Sequence, residues 1–230
     1  MSVQVQQMFA SIAPRYDVTN DALSLGLHRR WRQVAVRVSG AAAGERVLDC
    51  ATGTGDLALA FKRAVGPSGS VVGTDFCAEM LAHAPAKAQK AGLPVHFEVA
   101  DAMALPFEAR QFDVASIAFG IRNVDDPAKA LSEFARVLRP GGRVVVLEFG
   151  QPSGLFGAVF RAYSRFVMPA IGQLLTRNRE AYEYLPRTSA QFPAGEAFLA
   201  LMRNTGCFAR VEARPLMFGT AWVYLGVTPA

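Results

Sequence analysis

Asp49-Cys-Ala-Thr-Gly53-Thr54-Gly55-Asp56 is the segment whose residue types and spacing point most directly to chemistry. It follows the apolar run Arg46-Val-Leu-Asp-Cys-Ala51 and precedes a helical pattern from Leu57 to Val65, so two glycines stand on a strand-to-helix turn. Glycine there lets a ligand approach the backbone, and the first turn of the following helix offers unpaired N–H groups. Asp75 closes the next apolar run, Ser70-Val-Val-Gly-Thr-Asp75, where a carboxylate can bind a ribose. Together these residues describe a nucleoside site and leave its ligand open. Gly53-x-Gly55-x-x-Ala58 also satisfies the dinucleotide fingerprint, and an acid after the second strand serves a ribose in either case.

The elements that must hold these residues alternate between strand and helix. Strands are expected at Arg46–Ala51, Ser70–Asp75, Pro94–Val99, Phe112–Phe119 and Arg143–Glu148. The fourth is continuously apolar, as a strand buried on both faces should be. Helices are expected at Leu57–Val65, Met80–Ala91 and Ala128–Leu138, the last with Pro127 near its first turn. Such alternation implies a parallel sheet with helices on both faces. The chain then closes with Ala209–Leu216 and Trp222–Val227, whose short link suits an antiparallel hairpin and not a parallel crossover. The expected class is α/β, a Rossmann-like sheet of seven strands with an antiparallel C-terminal pair.

At 230 residues the chain suits one domain, and with 51% hydrophobic and 19% charged residues it is too apolar for disorder. Its longest apolar stretches, Phe149–Phe160 and Phe166–Thr176, stop at arginines (Arg161, Arg177) well short of the roughly 18–20 residues that cross a bilayer. The first residues lack a basic segment followed by an apolar core, so a cytoplasmic protein without a secretory signal is expected. Cys50, Cys77 and Cys207 read as tolerated thiols of a reducing compartment. With His28, His83 and His96 equally scattered, no metal site is expected. The net charge of +5 favours anionic partners. No dense basic run interleaved with aromatics points to nucleic acid.

Three further features favour S-adenosylmethionine over a dinucleotide. Asp49, ahead of the glycines, can face an ammonium and a sulfonium, whereas Asp49 and Asp56 would repel a pyrophosphate. Asp101, after the third strand, is placed to accept from an adenine amino group, with the Ala102 backbone as a second contact. Leu138-Arg-Pro-Gly-Gly-Arg143 resembles a turn of class I methyltransferases. A structural glycine turn with solvated acids accounts for any one of these and poorly for their joint spacing. Tyr16, Asp49, Gly53, Thr54, Gly55, Asp75, Phe76, Asp101, Ala102 and Phe119 make up the expected cofactor-binding set.

Tyr16-Asp-Val-Thr-Asn20-Asp-Ala-Leu-Ser24-Leu-Gly-Leu-His28-Arg-Arg-Trp31 closely resembles the N-terminal signature of the ubiquinone/menaquinone biosynthesis C-methyltransferases. Arg136-Val-Leu-Arg-Pro-Gly-Gly-Arg-Val-Val-Val-Leu-Glu148-Phe resembles the second signature of that family, and Phe119-Gly-Ile-Arg122-Asn123-Val its loop after strand four. The resemblance runs from about Met8 to Val227. The sequence departs from the pattern at Thr19, where the family usually has Met, and at Gly150, where Ser usually closes the second signature. Ala118 replaces a serine that some members use near the cofactor, so it is given no side-chain role.

The resemblance implies C-methylation of a quinol carrying a polyprenyl tail, either demethylmenaquinol or the benzoquinol precursor of ubiquinone. Tyr184-Leu-Pro186 and Phe192-Pro193 lean toward the menaquinone-only members. Methyl transfer from a sulfonium is an in-line displacement, so the protein's work is positioning and exclusion of water. Arg122 and Asn123 are the expected catalytic pair, the arginine stabilising a phenolate or orienting a water, unless both only brace their loop. His28 reads as a packing or hydrogen-bonding residue. Within one domain over 1–230, the expected parts are an N-terminal helical lid (1–45), a cofactor-binding core (46–150), a helical insertion covering the substrate (151–205) and the strand pair (206–230).

On a helix through Leu155–Leu175, Phe156, Phe160, Tyr163 and Val167 would share one face and Arg161 and Arg165 another. That face suits a prenyl tail and peripheral contact with the inner face of a membrane. Homo-oligomerisation is compatible with the sequence and assigned to no segment. Three other classes compete: a methyltransferase for another small molecule, a nicotinamide oxidoreductase, and a non-catalytic cofactor-binding partner. Quinol turnover, cofactor preference and turnover at all would respectively separate them.

Overall fold

Val47 and Leu48 of β1 (Arg46–Cys50) and Val114, Ala115, Ser116 and Ile117 of β4 (Phe112–Ala118) are fully buried, as expected for strands covered on both faces. They form the centre of a seven-stranded sheet in the computed structural model, which describes residues 3–176 and 179–230. Arg177, the expected limit of one apolar stretch, lies outside the described residues. The remaining strands are β2 (Ser70–Asp75), β3 (His96–Val99), β5 (Leu138–Phe149), β6 (Arg210–Leu216) and β7 (Ala221–Val227), in the order β3-β2-β1-β4-β5-β7-β6. β1 to β5 run parallel, and β7 lies antiparallel between β5 and β6. The chain reverses its direction of travel across the sheet between β1 and β4. In such a sheet, ligands bind at the carboxyl ends of the strands flanking that reversal.

Alternate side chains of β4 divide the core between two layers. Val114, with Val47 and Val145, packs under Trp31 and Ala35 of α3 (Leu27–Ser39) and under Leu57 and Phe61 of α4 (Asp56–Val65). Ala115 and Ile117 face the other way, toward Leu131 and Phe134 of α7 (Pro127–Val137) and toward Phe198 and Met202 in the helix Glu196–Asn204. That last helix lies within the expected covering segment 151–205 but packs as part of the sheet's own layer, because Phe198 and Met202 are fully buried in the core.

The chain differs from the sequence expectation in three places. The helix expected over Met80–Ala91 is two, α5 (Ala78–Leu81) and α6 (Ala84–Ala91). Pro85 stands at the start of the second; lacking an N–H and restricting the residue before it, it marks a new helix start. The fifth strand begins at Leu138, and the register against β4 shifts between Phe112 and Val114, so the Pro140-Gly141-Gly142 turn is absorbed into the strand as an irregularity.

The third difference is the covering helix. It runs as α8 (Gly154–Ala162), a π-turn over Tyr163–Val167, and α9 (Met168–Thr176). A π-turn inserts a residue and rotates the helical segment after it. Phe156, Phe160 and Tyr163 keep the expected face, whereas Val167 turns outward, 41% exposed, and Met168 takes the inward place. Above the sheet, α1 (Val3–Ile12), α2 (Tyr16–Ser24) and α10 (Arg179–Gln191) join α9 in a small separate core of Ile12, Leu23, Met168, Ala181 and Tyr182.

Candidate active site

The cleft at the carboxyl ends of β1, β2 and β4 is built on strained turns. Ala51 and Phe119, which follow β1 and β4, both hold positive φ (49° and 57°), a conformation L-residues adopt at a cost of about 1–3 kcal/mol. Gly120 lets the two turns approach, since a Cβ there would stand 2.5 Å from that of Ala51. Gly55 has φ 87°, and a Cβ would meet Ala84 at 3.1 Å and Phe97 at 3.2 Å, so helix α4 can start only from glycine.

Asp75 organises this turn. Its Oδ2 accepts from the Gly53 N–H (2.8 Å) and its Oδ1 from that of Cys77 (2.9 Å), leaving free lone pairs for the hydroxyls of a ribose. Burial pushes its pKa up despite these bonds. Asp49, 1% exposed, accepts from the Ser116 hydroxyl at Oδ1 (2.6 Å) and the Thr52 hydroxyl at Oδ2 (2.6 Å). Burial still raises its pKa to about 6, the hydroxyls and Arg32 pulling the other way. Asp101 accepts from the Met103 N–H (2.9 Å) and is only half-buried.

Tyr16, Gly53, Asp75, Phe76, Asp101, Ala102, Phe119 and Asn123 share the wall of this cleft, together with Phe9, Met80 and Val124. Asp49, Thr54 and Gly55 stand outside that wall. Thr54 is engaged elsewhere: its hydroxyl donates to Asp17 Oδ1 of α2 (2.6 Å) and accepts from Lys87 Nζ of α6 (3.0 Å), while Lys87 also reaches Asp56 (2.6 Å). The threonine thus ties the N-terminal helices to the turn. Asp17 sits inside the first signature, yet nothing in the sequence singled out Lys87 as its partner.

Beside the cleft lies an apolar cavity of about 460 Å³, walled by α1–α3, α8–α10 and the β4–β5 ends. Phe9, Tyr16 and Phe119 wall both spaces, so the two meet there. Arg122 faces the cavity with its side chain 5% exposed. Its guanidinium donates to Glu148 Oε1 (2.7 Å) and the Phe119 carbonyl (2.6 Å), and lies 5.3 Å from the centre of the Phe149 ring. Its Nε is buried without a partner. Glu148, fully buried, has no role in the sequence reading; being an acid at the end of a signature strand was the available signal. Asn123 accepts from the Tyr184 hydroxyl (3.0 Å) and faces the cleft, so the two loop residues point to different spaces.

His28 also lines the cavity, buried, with Nδ1 2.6 Å from the Ser24 hydroxyl and Nε2 3.4 Å from Asp21. Burial depresses its pKa to about 4, with Arg32 adding to the effect, so it is neutral near pH 7. A wider groove of about 800 Å³, bordered by Arg161, Arg165 and Phe166, adjoins the cavity and shares Phe149, Phe160, Met168 and Leu185 with it. Among the described residues no group of three or more His, Cys, Asp or Glu side chains is disposed to hold a metal ion. No helix of the described residues is long and apolar enough to cross a membrane.

Known proteins resemble the chain at two levels. The model of the ubiE/COQ5 methyltransferase family matches residues 1–228. A ubiquinone/menaquinone biosynthesis C-methyltransferase of Bdellovibrio bacteriovorus is 53% identical over 96% of this chain and 94% of its own. A demethylmenaquinone methyltransferase of Thermus thermophilus is 50% identical over 96% of this chain and all of its own. Among solved structures, an Aquifex aeolicus SAM-dependent methyltransferase superposes with TM-score 0.62 at 20% identity, covering 86% of this chain and 89% of that one. The [4+2]-cyclase SpnF does so with TM-score 0.65 at 20% identity, over 100% and 97% of the two chains. At that identity the likeness establishes the fold alone, and the cyclase illustrates how one fold hosts different chemistries.

Proposed function

The chain belongs to the ubiE/COQ5 methyltransferase family, and on that premise we propose that it methylates a ring carbon of a prenylated quinol, demethylmenaquinol in first place, at the expense of S-adenosylmethionine. The observation that carries this reading is the pairing of a carboxylate-rich nucleoside cleft with an apolar cavity, joined at Tyr16 and Phe119. A polar or highly charged acceptor would find few partners in that cavity, whereas a naphthoquinol and the start of its tail would be buried against aromatic and aliphatic walls.

The residues of the cleft fit the cofactor. Asp75 retains lone pairs for two ribose hydroxyls and Asp101 stands where an adenine amino group can donate, while Asp49, buried behind the wall, supplies negative charge for the cationic end. S-adenosylmethionine, when bound, supplies a methyl group on a sulfonium, ready for transfer to a nucleophilic carbon. The protein's part is to align that carbon and favour the ionised quinol. Glu148 and the Phe119 carbonyl fix the orientation of the Arg122 guanidinium. It stabilises the phenolate oxygen, and its unpartnered Nε is a donor available for that purpose. Asn123, held by Tyr184, orients the cofactor side of the same loop. Aromatic walls exclude water from the junction.

The tail leaves through the rim formed by Leu25, Val159 and Met217, all of them exposed apolar side chains lining the cavity. Leu155 and Phe218, which packs on Phe156, are further exposed apolar side chains, and Phe166 with Arg161 and Arg165 borders the adjoining groove; together they suit peripheral contact with the anionic inner face of a membrane. Co-sedimentation with anionic vesicles at low salt, lost with neutral vesicles, is the expected result; no binding to either removes the membrane from the proposal.

Labelled S-adenosylmethionine and a reduced short-tail demethylmenaquinone, analysed by mass spectrometry, test the reaction. A product one methyl heavier on a ring carbon supports the proposal. Turnover of a methoxy-benzoquinol instead moves the activity to the ubiquinone branch. Cofactor binding with no turnover of either quinol overturns the substrate assignment.

A further inference from the structure

The cleft accounts for the adenine, the ribose and the cationic end of the cofactor, but none of the residues so far placed there answers its negative carboxylate. On the reading that the cofactor is S-adenosylmethionine, we infer that Arg32 is the carboxylate anchor, a binding residue that the cleft wall alone does not reveal.

Arg32 projects from α3 into the wall of the apolar cavity, beside the Phe119 ring at which cavity and cleft meet. Its side chain is 13% exposed, and its Nη1 is buried with no hydrogen-bond partner. The nearest acid, Asp56 at the start of α4, holds its Oδ2 3.6 Å away, too far for a hydrogen bond, while its Oδ1 accepts from Lys87 at 2.6 Å. A buried guanidinium with an idle N–H is costly unless something arrives to accept from it. The guanidinium carbon lies 5.9 Å from the centre of the Phe119 ring, the same ring that walls both spaces. Its positive field reaches Asp49, Asp56 and Tyr16.

The location selects the ligand group. Asp49 and Arg32 place opposite charges around the head of the Gly53–Gly55 turn, as an amino acid zwitterion requires: the acid for the ammonium, the guanidinium for the carboxylate. The N-terminus of α4, ten residues long, adds its backbone N–H groups and dipole at the same end. Arginine suits the task because its fork matches a carboxylate with two parallel donors. A quinol oxygen is the competing acceptor for Nη1, and it would make Arg32 a substrate residue.

Two ligands that differ only in the carboxylate separate these cases: S-adenosylmethionine and its decarboxylated form, titrated by calorimetry into wild-type protein, Arg32→Met and Arg32→Lys. The wild type should prefer S-adenosylmethionine by about tenfold or more. Arg32→Met should lose that preference, binding S-adenosylmethionine tenfold more weakly and the decarboxylated form within twofold of wild type. Arg32→Lys should recover part of the difference. Equal weakening of both ligands, or no weakening of either with the near-ultraviolet circular dichroism unchanged, overturns the assignment. So does a wild type that fails to distinguish the two ligands, a result that requires no variant to fold. If the wild type binds neither ligand, the cofactor reading itself fails, and Arg32 with it.

Discussion

The turns at the ends of β1, β2 and β4 and the helical cover formed by α8–α10 face each other across the same site and are built in opposite ways. In the turns, each buried acid has directed partners: Asp49 two hydroxyls, Asp75 two backbone N–H groups. The cover is held largely by apolar packing, contains a π-turn, buries the Ser189 hydroxyl without a partner, and leaves Leu155, Phe166 and Leu174 mostly exposed. Under the proposed function, the difference matches the ligand each side would bind. A charged nucleoside has fixed donors and acceptors that repay pre-set dipoles. A prenyl chain offers no polar group, so only volume and apolar wall matter.

If that contrast is correct, single substitutions in the turns should cost far more than those in the cover. Asp75→Ala should have the largest effect, because it removes the proposed ribose acceptor and also leaves the Gly53 and Cys77 N–H groups unpaired. Two charge-assisted bonds correspond to a loss of about 100-fold in affinity for S-adenosylhomocysteine, measurable by calorimetry. A loss below tenfold would remove the distinction between the two regions. Arg122→Ala should follow, lowering turnover about tenfold or more with cofactor affinity preserved. It also strands Glu148, fully buried, so a stability loss of about 3 kcal/mol in urea unfolding is expected, and turnover should be compared where both proteins are folded. Near-normal turnover would confine Arg122 to bracing its loop.

The same contrast explains which parts were legible in the sequence. The parallel strands, the glycine turn and Asp75 could be read because each is forced locally: apolar runs between turns, φ values that exclude a Cβ, an acid at a strand end. The family signatures carried Arg122 and Asn123. Partnerships between distant segments were not legible. Lys87 meets Asp17 and Thr54 only because α6 folds back beside α2, and Glu148 meets Arg122 only because β5 lies beside β4. The cover was least legible of all. Its helical periodicity was visible, but no residue in Tyr163–Val167 announces a π-turn, and that turn decides that Val167 faces out and Met168 in.

A pH titration sharpens the comparison within the turn itself. Asp49, raised to about 6 chiefly by burial, is pushed further by Asp75 and restrained by Arg32. Since its folded pKa lies above the unfolded one, the stability it contributes is full below pH 4 and is lost as pH rises through about 6. Ionised Asp49 is therefore costly at neutral pH, and a cationic ligand relieves that cost. Affinity for S-adenosylmethionine should fall about tenfold between pH 7 and pH 5, and Asp49→Asn should flatten the profile at a uniformly weaker level. A wild-type profile already flat over that range would mean that the carboxylate does not meet the ammonium.

The smallest effect belongs to the cover. Val159 is 61% exposed at the cavity rim, so replacing it should disturb little packing, and its contact with a substrate would be with the tail and not the ring. Val159→Asp places a charge where an apolar chain must pass, at a cost of about 1 kcal/mol, or roughly fivefold. It should raise KM about fivefold for a long-tailed demethylmenaquinol and leave the short-tailed analogue within twofold, with kcat unchanged for both. The tail-length dependence is what discriminates. A general perturbation of the cover would shift both substrates alike, whereas a rim that meets only the tail shifts one. Equal changes for the two substrates would place the tail's route elsewhere, along the groove beside Arg161 and Arg165, where the corresponding charge substitution is Ala162→Asp.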